Sequence, residues 1–539
     1  MITALFLICV LALWLGYKHY GGFLDRFFRI NPRAKTPAAA KRDNIDFVPA
    51  PAPVLLGHHF SSIAGAGPVV GPITAALAFG WLPALLWILA GGIFIGGAHD
   101  YAALLISVRH QGRSIAEIAR QYLNRKTCRV FLVFIWLTLV YVLTVFFDMT
   151  ASTFITEGSV ASSSLFFILL AVVFGLLVNI GKISYWKTSL IFVPLLFGAV
   201  ALGMRFPAVL PALGALSGQQ AWLLILLVYC FLASTLPVWA LLQPRDYLCS
   251  FLLYGSIAVS LAGILFGGLS GRLPVFFSYP AFTGLNSGEG FIFPFLFVVI
   301  ACGAVSGFHS IVSSGTTAKQ IASEKDIRPI GYGAMLIESV VGVISLITVL
   351  LLTRNAALSL NNPLLIYGQG LGQFAGIIGL PVKTGYVFGL LAVSTFLLTT
   401  LDTCTRLSRY IFEEFCGKFK HSVFLGTLCS LGLPALFLFI KITDAAGNII
   451  PPWKAVWPIF GAANQLLAAL TLLVAAVWLK KLRKSCWFIK LPLYFMLIVT
   501  LTALILLIWK FQLSLIGLVG LALLALAVYM LFESRGALV

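Results

Sequence analysis

Charged side chains are scarce in this sequence. Of 539 residues only 10% are charged and 60% are apolar, and Asp and Glu together number 17. A water-soluble protein of this length needs a far more polar surface than these residues can supply. The composition therefore excludes a soluble globular protein and indicates a chain dissolved mainly in lipid.

Sequence motifs of enzymes and metal sites are also missing. The nine cysteines are scattered, with no CxxC pair and no histidine at a spacing suited to zinc. No phosphate loop or nucleophile elbow occurs, and Gly65, Gly67 and Gly71 follow no strand, so they do not make a dinucleotide loop. We therefore expect no catalytic residue, no metal and no resident cofactor, and a protein that is not an enzyme.

Long apolar runs are what the sequence has in abundance. About 15 windows between Thr3 and Phe532 reach the roughly 20 residues that a helix needs to cross a bilayer. They are too uniformly apolar for barrel strands, and lipid leaves no other spanning structure. The sequence predicts an all-α polytopic membrane protein with about 15 transmembrane helices.

The net charge of +19 has a topological explanation. If the first window enters from outside, most Lys and Arg fall on one face, in segments such as Lys18–Arg42, Arg109–Arg129 and Lys480–Lys490. This positive-inside bias predicts an inner-membrane protein with its N-terminus outside and its C-terminus in the cytoplasm. The partner it implies is the lipid bilayer and not nucleic acid. The opposite face receives only Arg205, Arg272, Arg354, Lys383, Lys441, Lys454 and Lys510.

Glycine and proline interrupt two of the windows. Window two contains Gly65, Gly67 and Pro68, which disfavour an unbroken helix, and Pro237 in window seven frees a carbonyl about one turn upstream. Such broken helices present unpaired N–H and C=O groups that can bind a solute or an ion. The two predicted breaks lie five windows apart, which is the parity that two inverted five-helix repeats require.

This parity predicts three regions. Residues 1–57 form an anchor helix and a basic cytoplasmic loop, and residues 406–539 form the C-terminal transmembrane helices. Between them, residues 58–405 form a ten-helix inverted-repeat transport core, with repeats at about 58–205 and 221–405.

Residues at and near the breaks are candidates for substrate binding. The alternative for the glycines is close helix packing, and for the hydroxyls a bond to their own helix. The substrate-binding candidates are His59, Ser62, Ala64, Gly65, Ala66, Gly67, Ser234, Thr235, Pro237 and His309.

Titratable residues at membrane depth are candidates for ion coupling and gating, because an isolated buried charge is costly. His309 and Asp100 are the candidates for proton coupling, and Arg245 with Asp246 suits an inner gate, with a weak surface pair as the alternative. For Asp402, an i, i+4 pair with Arg406 is favoured. Functional and structural roles both stay open for His58, His99, Asp148 and Glu338.

Ser306, Ser310, Ser313 and Thr317 in window nine have the spacing of one helical face, which could supply oxygens to a cation. Asn464 and Gln465 in window thirteen could bond a neighbouring helix or the substrate, and packing is favoured because that window lies outside the predicted ten-helix core.

Five motifs in this order are specific enough to suggest a family. Together they resemble the carbon starvation protein A family, over a stretch from the second window to the thirteenth. They are Gly57–Pro72, Leu236–Trp239 with Leu242–Tyr247, Ser306–Ser310 with Ser314–Gln320, Thr399–Thr403, and Trp457–Gln465.

The resemblance implies a secondary transporter with a LeuT-type core that imports peptides or pyruvate when carbon is scarce. An ion gradient of Na⁺ or H⁺ would drive it, by alternating access around two broken helices. In that fold window nine would be the eighth core helix, and Ser310, Ser313 and Ser314 would hold sodium with carbonyls near Ala64 and Gly65. The alternatives are a channel-type facilitator for small carboxylates and a membrane-embedded enzyme.

Overall fold

A computed structural model describes residues 1–43, 47–122, 125–211, 216–237, 240–274, 276–288, 290–360, 362–416, 423–440, 442–443, 449–512 and 514–538. Helices form almost all of this part of the chain, which confirms the all-α prediction. The described strands are two hairpins of two-residue strands, β1 (Asn286–Ser287) with β2 (Gly290–Phe291), and β3 (Ile442–Thr443) with β4 (Ile449–Ile450).

The N-terminal span runs from Ile2 to Phe28. It consists of α1 (Ile2–Leu15), a π-helical segment (Gly16–Gly21) and α2 (Gly22–Phe28), and the short α3 (Pro37–Ala40) follows.

The next helices contain the first predicted break. A turn at residues 64–66 separates α4 from α5, and the two helices are bent by 45°. The helices are α4 (Ala52–Ile63), α5 (Gly67–Phe79), α6 (Trp81–Ala90) continued by a π-helical segment (Gly91–Gly96) and α7 (Gly97–Arg109), then α8 (Ile115–Tyr122), α9 (Arg125–Thr156), α10 (Gly158–Asn179), α11 (Tyr185–Arg205), α12 (Gly218–Thr235) and α13 (Leu242–Leu269).

The remaining helices include a second interrupted pair, α14 and α15. Short 3₁₀ turns (Thr317–Lys319 and Glu324–Asp326) and a π-helical segment (Arg328–Gly333) lead from this pair to α16. The helices are α14 (Ile292–Val299), α15 (Phe308–Gly315), α16 (Ala334–Leu350), α17 (Arg354–Leu360), α18 (Pro363–Ile377), α19 (Val382–Cys416), α20 (Val423–Phe439), α21 (Pro452–Lys481), α22 (Trp487–Phe511) and α23 (Leu515–Leu538).

Several helix starts follow from local sequence. Proline occupies the first turn of α4, α5, α18 and α21, where its missing N–H would have had no helical partner. A capping box starts α12, because Ser217 and Gln220 each accept a hydrogen bond from the other's backbone N–H.

The number of spans is close to the predicted one. Within the described residues, 12 helices are long and apolar enough to cross a membrane, and the bent pair α4–α5 brings the number to 13. The protein is therefore a multi-pass membrane protein. The pair α14–α15 and the helix α20 are too short to be counted by that criterion.

The second break is not where the sequence predicted it. Helix α12 ends at Thr235, and Leu236 and Pro237 follow its last turn, so the proline ends a helix instead of interrupting one. Val238 and Trp239, part of the same motif, lie outside the described residues. The interruption lies at residues 300–307 in window nine, where Gly303 has a φ of +88° that other residues adopt only with strain.

The centre of the bundle is formed by α21 and α19. All of the most apolar stretch of α21 is buried, as is 94% of that of α19. Window thirteen, which we expected to lie outside the ten-helix transport core, therefore lies at the buried centre of the bundle.

One end of the molecule gathers the basic segments. Arg109 binds the Glu324 carboxylate with two contacts of 3.0 Å and donates to the Phe28 carbonyl at 3.1 Å. Lys484 donates to the Phe27 carbonyl at 3.2 Å. We call this end, at the close of α2, α7 and α21, the basic end, and the other the opposite end.

Candidate transport site

The two interrupted helices touch each other at their breaks. A Cβ added to Gly67 would overlap the Cys302 side chain, and one added to Gly71 would lie 2.7 Å from the Val299 carbonyl oxygen. An added Cβ on Gly303 would lie 3.5 Å from Pro68. Only glycine permits this approach, so the glycines of both windows bring the two breaks together.

Helix α21 holds the second break open. The Asn464 side-chain oxygen accepts from the Phe308 backbone N–H at 2.8 Å, at the start of α15. Its backbone oxygen accepts from the Gly307 N–H at 3.1 Å. Gln465 donates to the Phe297 carbonyl at 2.7 Å, near the end of α14. Two neighbouring side chains thus satisfy the helix ends on both sides of the break.

A closed cavity lies where the breaks meet. Its volume is about 10 Å³, the space of roughly one water molecule. It is lined by Ile63, Gly65, Val142, Phe146, Cys302, Phe308, Thr400, Phe460 and Asn464.

Polar groups without partners surround this cavity. The Thr400 hydroxyl is buried and has no hydrogen-bond partner among the described residues. No described residue accepts a hydrogen bond from the backbone N–H groups of Cys302 and Ala304, whereas the Gly303 N–H faces the Glu338 carboxylate. Unpaired amides at an interrupted helix suit a carboxylate.

A chain of buried titratable groups lies beside the second break. His99 Nδ1 is 2.7 Å from one oxygen of Asp100, and His309 Nδ1 is 2.7 Å from the other. On its far side, His309 Nε2 is 3.2 Å from Glu338. All four side chains are fully buried and come from α7, α15 and α16. The structure therefore unites the candidates His309 and Asp100 and adds His99 and Glu338.

This chain is a candidate for holding a proton. An imidazole that donated to two carboxylates would carry two protons, whereas a neutral one would need Glu338 to be protonated and to donate to Nε2. His309 Nε2 and Glu338 Oε2 lie 3.2 Å apart, but neither atom has a hydrogen-bond partner among the described residues, so proton transfer between them requires one side chain to reorient.

The same residues could also bind a metal ion. Cys302, His309 and Glu338 each bring one ligand atom, and these atoms lie within 4.8 Å of one another. The expectation of no metal stays a prediction.

Arg245 and Asp246 are buried at 0% and 2% exposure, so the alternative of a surface pair is wrong. They also bind different partners. Arg245 of α13 donates to the Asp402 carboxylate of α19 and to the Tyr229 hydroxyl of α12. Asp246 lies 3.5 Å from His58 Nδ1 and so connects α13 to α4.

Asp402 does not form the expected pair with Arg406. Its carboxylate accepts from Arg245 and from the Tyr229 hydroxyl, the latter at 2.8 Å. Arg406 instead donates to the Ala233 and Leu236 carbonyls, at 2.8 Å and 2.6 Å, and caps the end of α12. Arg245 already neutralises the Asp402 carboxylate, so Arg406 is free to bind the exposed carbonyl groups at the end of α12.

Ser234, Thr235 and Pro237 are not brought to the breaks. Ser234 lies 3.1 Å from the Thr427 hydroxyl of α20, and Thr235 bonds to its own helix. The end of α12 is held by Arg406, six residues or about 9 Å along α19 from Thr400.

The hydroxyl stripe of window nine does not exist as a helical face, because α15 begins only at Phe308. Ser306 accepts from the Asn464 amide at 3.0 Å. Ser310 and Ser314 bond to carbonyls one turn back. Ser313 keeps a buried hydroxyl without a partner among the described residues.

In the first interrupted helix, the residues Ala64, Gly65, Ala66 and Gly67 do lie at the break, as predicted. The Ser62 hydroxyl donates to the His58 carbonyl at 2.8 Å, so it satisfies its own helix. His59 Nδ1 lies 2.8 Å from the Thr317 hydroxyl, which connects α4 to the turn after α15.

Asp148, left open between roles, lies towards the opposite end. Its oxygens accept from the Gln219 side chain at 2.8 Å and from the Trp453 N–H at 2.9 Å, which is a structural arrangement.

Cys302 was missed by the sequence reasoning because it belongs to none of the five motifs. Thr400 was named only as part of the motif Thr399–Thr403, and packing was the favoured role for Asn464. Asn464 offered a signal, an amide side chain within a long apolar helix, where polar groups normally bind a neighbouring helix.

A larger cavity of about 310 Å³ lies towards the opposite end. Residues Thr74, Leu77 and Ala78 of α5 line it on one side and Trp457 of α21 on another. Trp457 also contacts Phe460, which lines the small cavity, with ring centroids 5.4 Å apart. Aromatic side chains thus separate the two cavities.

A helical membrane bundle whose two interrupted helices meet at a buried site has the architecture of the LeuT-type secondary transporters. The solved structure of MhsT in complex with L-phenylalanine matches it with a TM-score of 0.51 at 14% identity, over 91% of this chain and 99% of that one. This likeness shows the shared fold.

The chain belongs to the carbon starvation protein CstA family, whose model matches residues 1–379 and 365–503. The peptide transporter CstA of Escherichia coli K12 is 31% identical over 91% of this chain and 78% of that protein. The pyruvate/proton symporter BtsT of the same strain is 30% identical over 91% of this chain and 79% of that protein. These relatives are transporters and not enzymes, as the sequence led us to expect of this chain.

Proposed function

We propose that the protein is a secondary active transporter that imports peptides or pyruvate during carbon starvation, driven by a proton gradient. The observation that carries this proposal is the meeting of two broken helices beside the buried chain His99–Asp100–His309–Glu338. The family and the names of the two relatives support the substrate class.

The core of the transporter would be two inverted halves with boundaries other than those predicted. The first half is residues 52–269, with the hairpin α10–α11 as an insertion, and the second is residues 292–481. Equivalent packing supports this division: α4 packs on α13 as α14 packs on α21, and α5 packs on α16 as α15 packs on α7. Likewise α9 packs on α21 as α19 packs on α13.

Orientation follows from the basic end, which we assign to the cytoplasm, with the N-terminus outside. About 15 spans then result if α14–α15 and α20 also cross. The basic end is closed by the contacts Arg245–Asp402 and His58–Asp246, while the larger cavity lies at the external end. This arrangement corresponds to one state of an alternating-access cycle, with the path to the cytoplasm shut.

Proton coupling has a simple electrostatic basis. With Asp100 and Glu338 ionised and His309 protonated, the group carries one net negative charge. A buried net charge in a membrane protein is costly, so one further proton makes the group neutral and favours the closed states through which the cycle must pass. The sodium alternative would use the free hydroxyls of Thr400 and Ser313.

The test is uptake of labelled pyruvate and a labelled dipeptide into proteoliposomes with an imposed proton or sodium gradient. We expect accumulation with the proton gradient and none with sodium alone. Glu338→Gln should reduce proton-driven accumulation at least about tenfold, because the group can no longer take up the extra proton.

The control is Asp148→Asn, a second buried carboxylate that has its own hydrogen-bond partners, and it should accumulate substrate like the unaltered protein. Equal accumulation by Glu338→Gln would contradict the coupling role. Flux that does not saturate and never accumulates substrate would identify a channel-type facilitator instead.

A further inference from the structure

The larger cavity brings together two cations from distant parts of the chain. Arg354, at the start of α17, is exposed, and Lys454, in the first turn of α21, is half-buried. Both are among the few basic residues on the face where the positive-inside bias leaves almost no Lys or Arg. The positive-inside bias therefore does not explain why two of them line the same cavity.

No carboxylate lines this cavity among the described residues. Its other lining residues are apolar or neutral and polar, from α5, the segment 283–288, Pro363 and two tryptophans. Asp148 lies nearby, but its oxygens are taken by Gln219 and the Trp453 N–H. The two cations have no described ion-pair partner, so the described part of the lining carries positive charge only. Such a cavity concentrates anions.

The cavity floor also carries unpaired hydrogen-bonding groups. Trp457 is 4% exposed, and its indole N–H has no partner among the described residues. The Thr74 hydroxyl, on the facing helix α5, is likewise buried without a described partner. Buried polar groups normally have partners, and these two, which have almost no accessible surface in this state, would gain one only when the cavity floor opens.

The cavity lies on the route to the breaks. Thr74 is seven residues, about 10 Å along α5, from Gly67. Trp457 is seven residues from Asn464 on the same face of α21, and Asn464 lines the small cavity. A solute bound between Arg354 and Lys454 would thus be about two helical turns outside the transport site.

We propose that this cavity is an external recruitment site for the carboxylate group of the substrate, held by Arg354 and Lys454 before the aromatic barrier at Trp457 opens. The inference rests on the proposed function for its orientation and substrate class. Pyruvate and a peptide share a carboxylate, so one site serves both.

The test uses the full chain in nanodiscs for binding and in proteoliposomes for uptake. Labelled pyruvate and labelled Ala-Ala are the probes, with pyruvamide and Ala-Ala amide as competitors that lack the carboxylate. In the variant R354Q/K454Q we expect the dissociation constant and the uptake KM to rise about tenfold while the maximal rate is unchanged. The competitors without a carboxylate should displace neither probe.

The matched control is R272Q/K510Q, which removes two cations of the same face that do not line the cavity. It should leave KM and binding unchanged. An R354Q/K454Q variant with the KM and affinity of this control overturns the recruitment site. Displacement by the competitors without a carboxylate overturns it as well.

If the proposed transport function is wrong, the same experiments give a different pattern of results. If the protein bound pyruvate in a manner that depended on Arg354 and Lys454 but accumulated nothing under any gradient, the recruitment site would stand and transport would not.

Discussion

At the scale of single residues, the glycines of the two breaks decide how closely the interrupted helices approach. Gly67 is the sharpest case because its missing Cβ leaves room for Cys302. We expect Gly67→Ala to push the breaks apart and to lower the initial rate of uptake at least about tenfold, since small displacements at a site cost this much.

Gly22→Ala is the control for this variant, because nothing lies within 4 Å of a Cβ at that helical position. The Gly22→Ala protein should be inserted into the membrane at normal levels and should take up substrate normally. Normal uptake by Gly67→Ala, at matched membrane levels, would show that close approach of the breaks is unnecessary.

The break at Gly65 and Gly67 could be predicted from sequence because glycine and proline act through their own backbone. Cys302 could not be predicted, because its role comes from its position opposite Gly67 and not from its chemistry. The same holds for Asp402, whose nearest basic residue in sequence, Arg406, is bound elsewhere.

At the scale of elements, a buried ion pair fastens α13 to α19 at the basic end. Arg245 and Asp402 are both fully buried, and removing one partner leaves the other charge without compensation. Arg245→Met should therefore lower the free energy of unfolding by about 3–5 kcal/mol, measured as thermal or denaturant unfolding in detergent.

The double variant Arg245→Met with Asp402→Leu should recover most of that loss, because no buried charge is left unpaired. Arg272→Met, which loses an exposed guanidinium bound to the Ile377 carbonyl, should change little. A double variant as unstable as the single one would argue against an ion pair as the fastening.

The position of the second break shows the limit of local sequence rules for elements. Pro237 and the glycines of residues 300–307 both satisfy the rules for an interrupted helix. What separates them is the support from α21, where Asn464 lies 156 residues after the Phe308 N–H that it binds. Neither window contains that information in itself.

At the scale of the whole molecule, the all-α class and the family were predictable because hydrophobic length and spaced motifs are properties of the sequence. The division into halves was not, because the hairpin α10–α11 adds two spans and leaves the parity of later windows unchanged. The charge pattern therefore fits the pairing of windows predicted from sequence as well as the pairing that we propose from the packing of the helices.

Orientation is a whole-molecule property that can be tested directly. In variants with a single cysteine, Asn286→Cys should react with a membrane-impermeant maleimide on intact cells, because it is exposed at the end assigned to the outside. The native Cys486, beside the basic end, should react only after permeabilisation. The reverse pattern would invert the assigned orientation.

The proposed transport mechanism requires the substrate to occupy the space where the two breaks meet, and Cys302 lines that space. The decisive measurement is the rate at which a permeant maleimide modifies Cys302 in a transport-active variant that keeps only this cysteine, with and without saturating pyruvate or dipeptide. We expect substrate to slow the modification, and modification to abolish uptake. An unchanged rate in a protein that still transports would contradict the placement of the substrate between the interrupted helices.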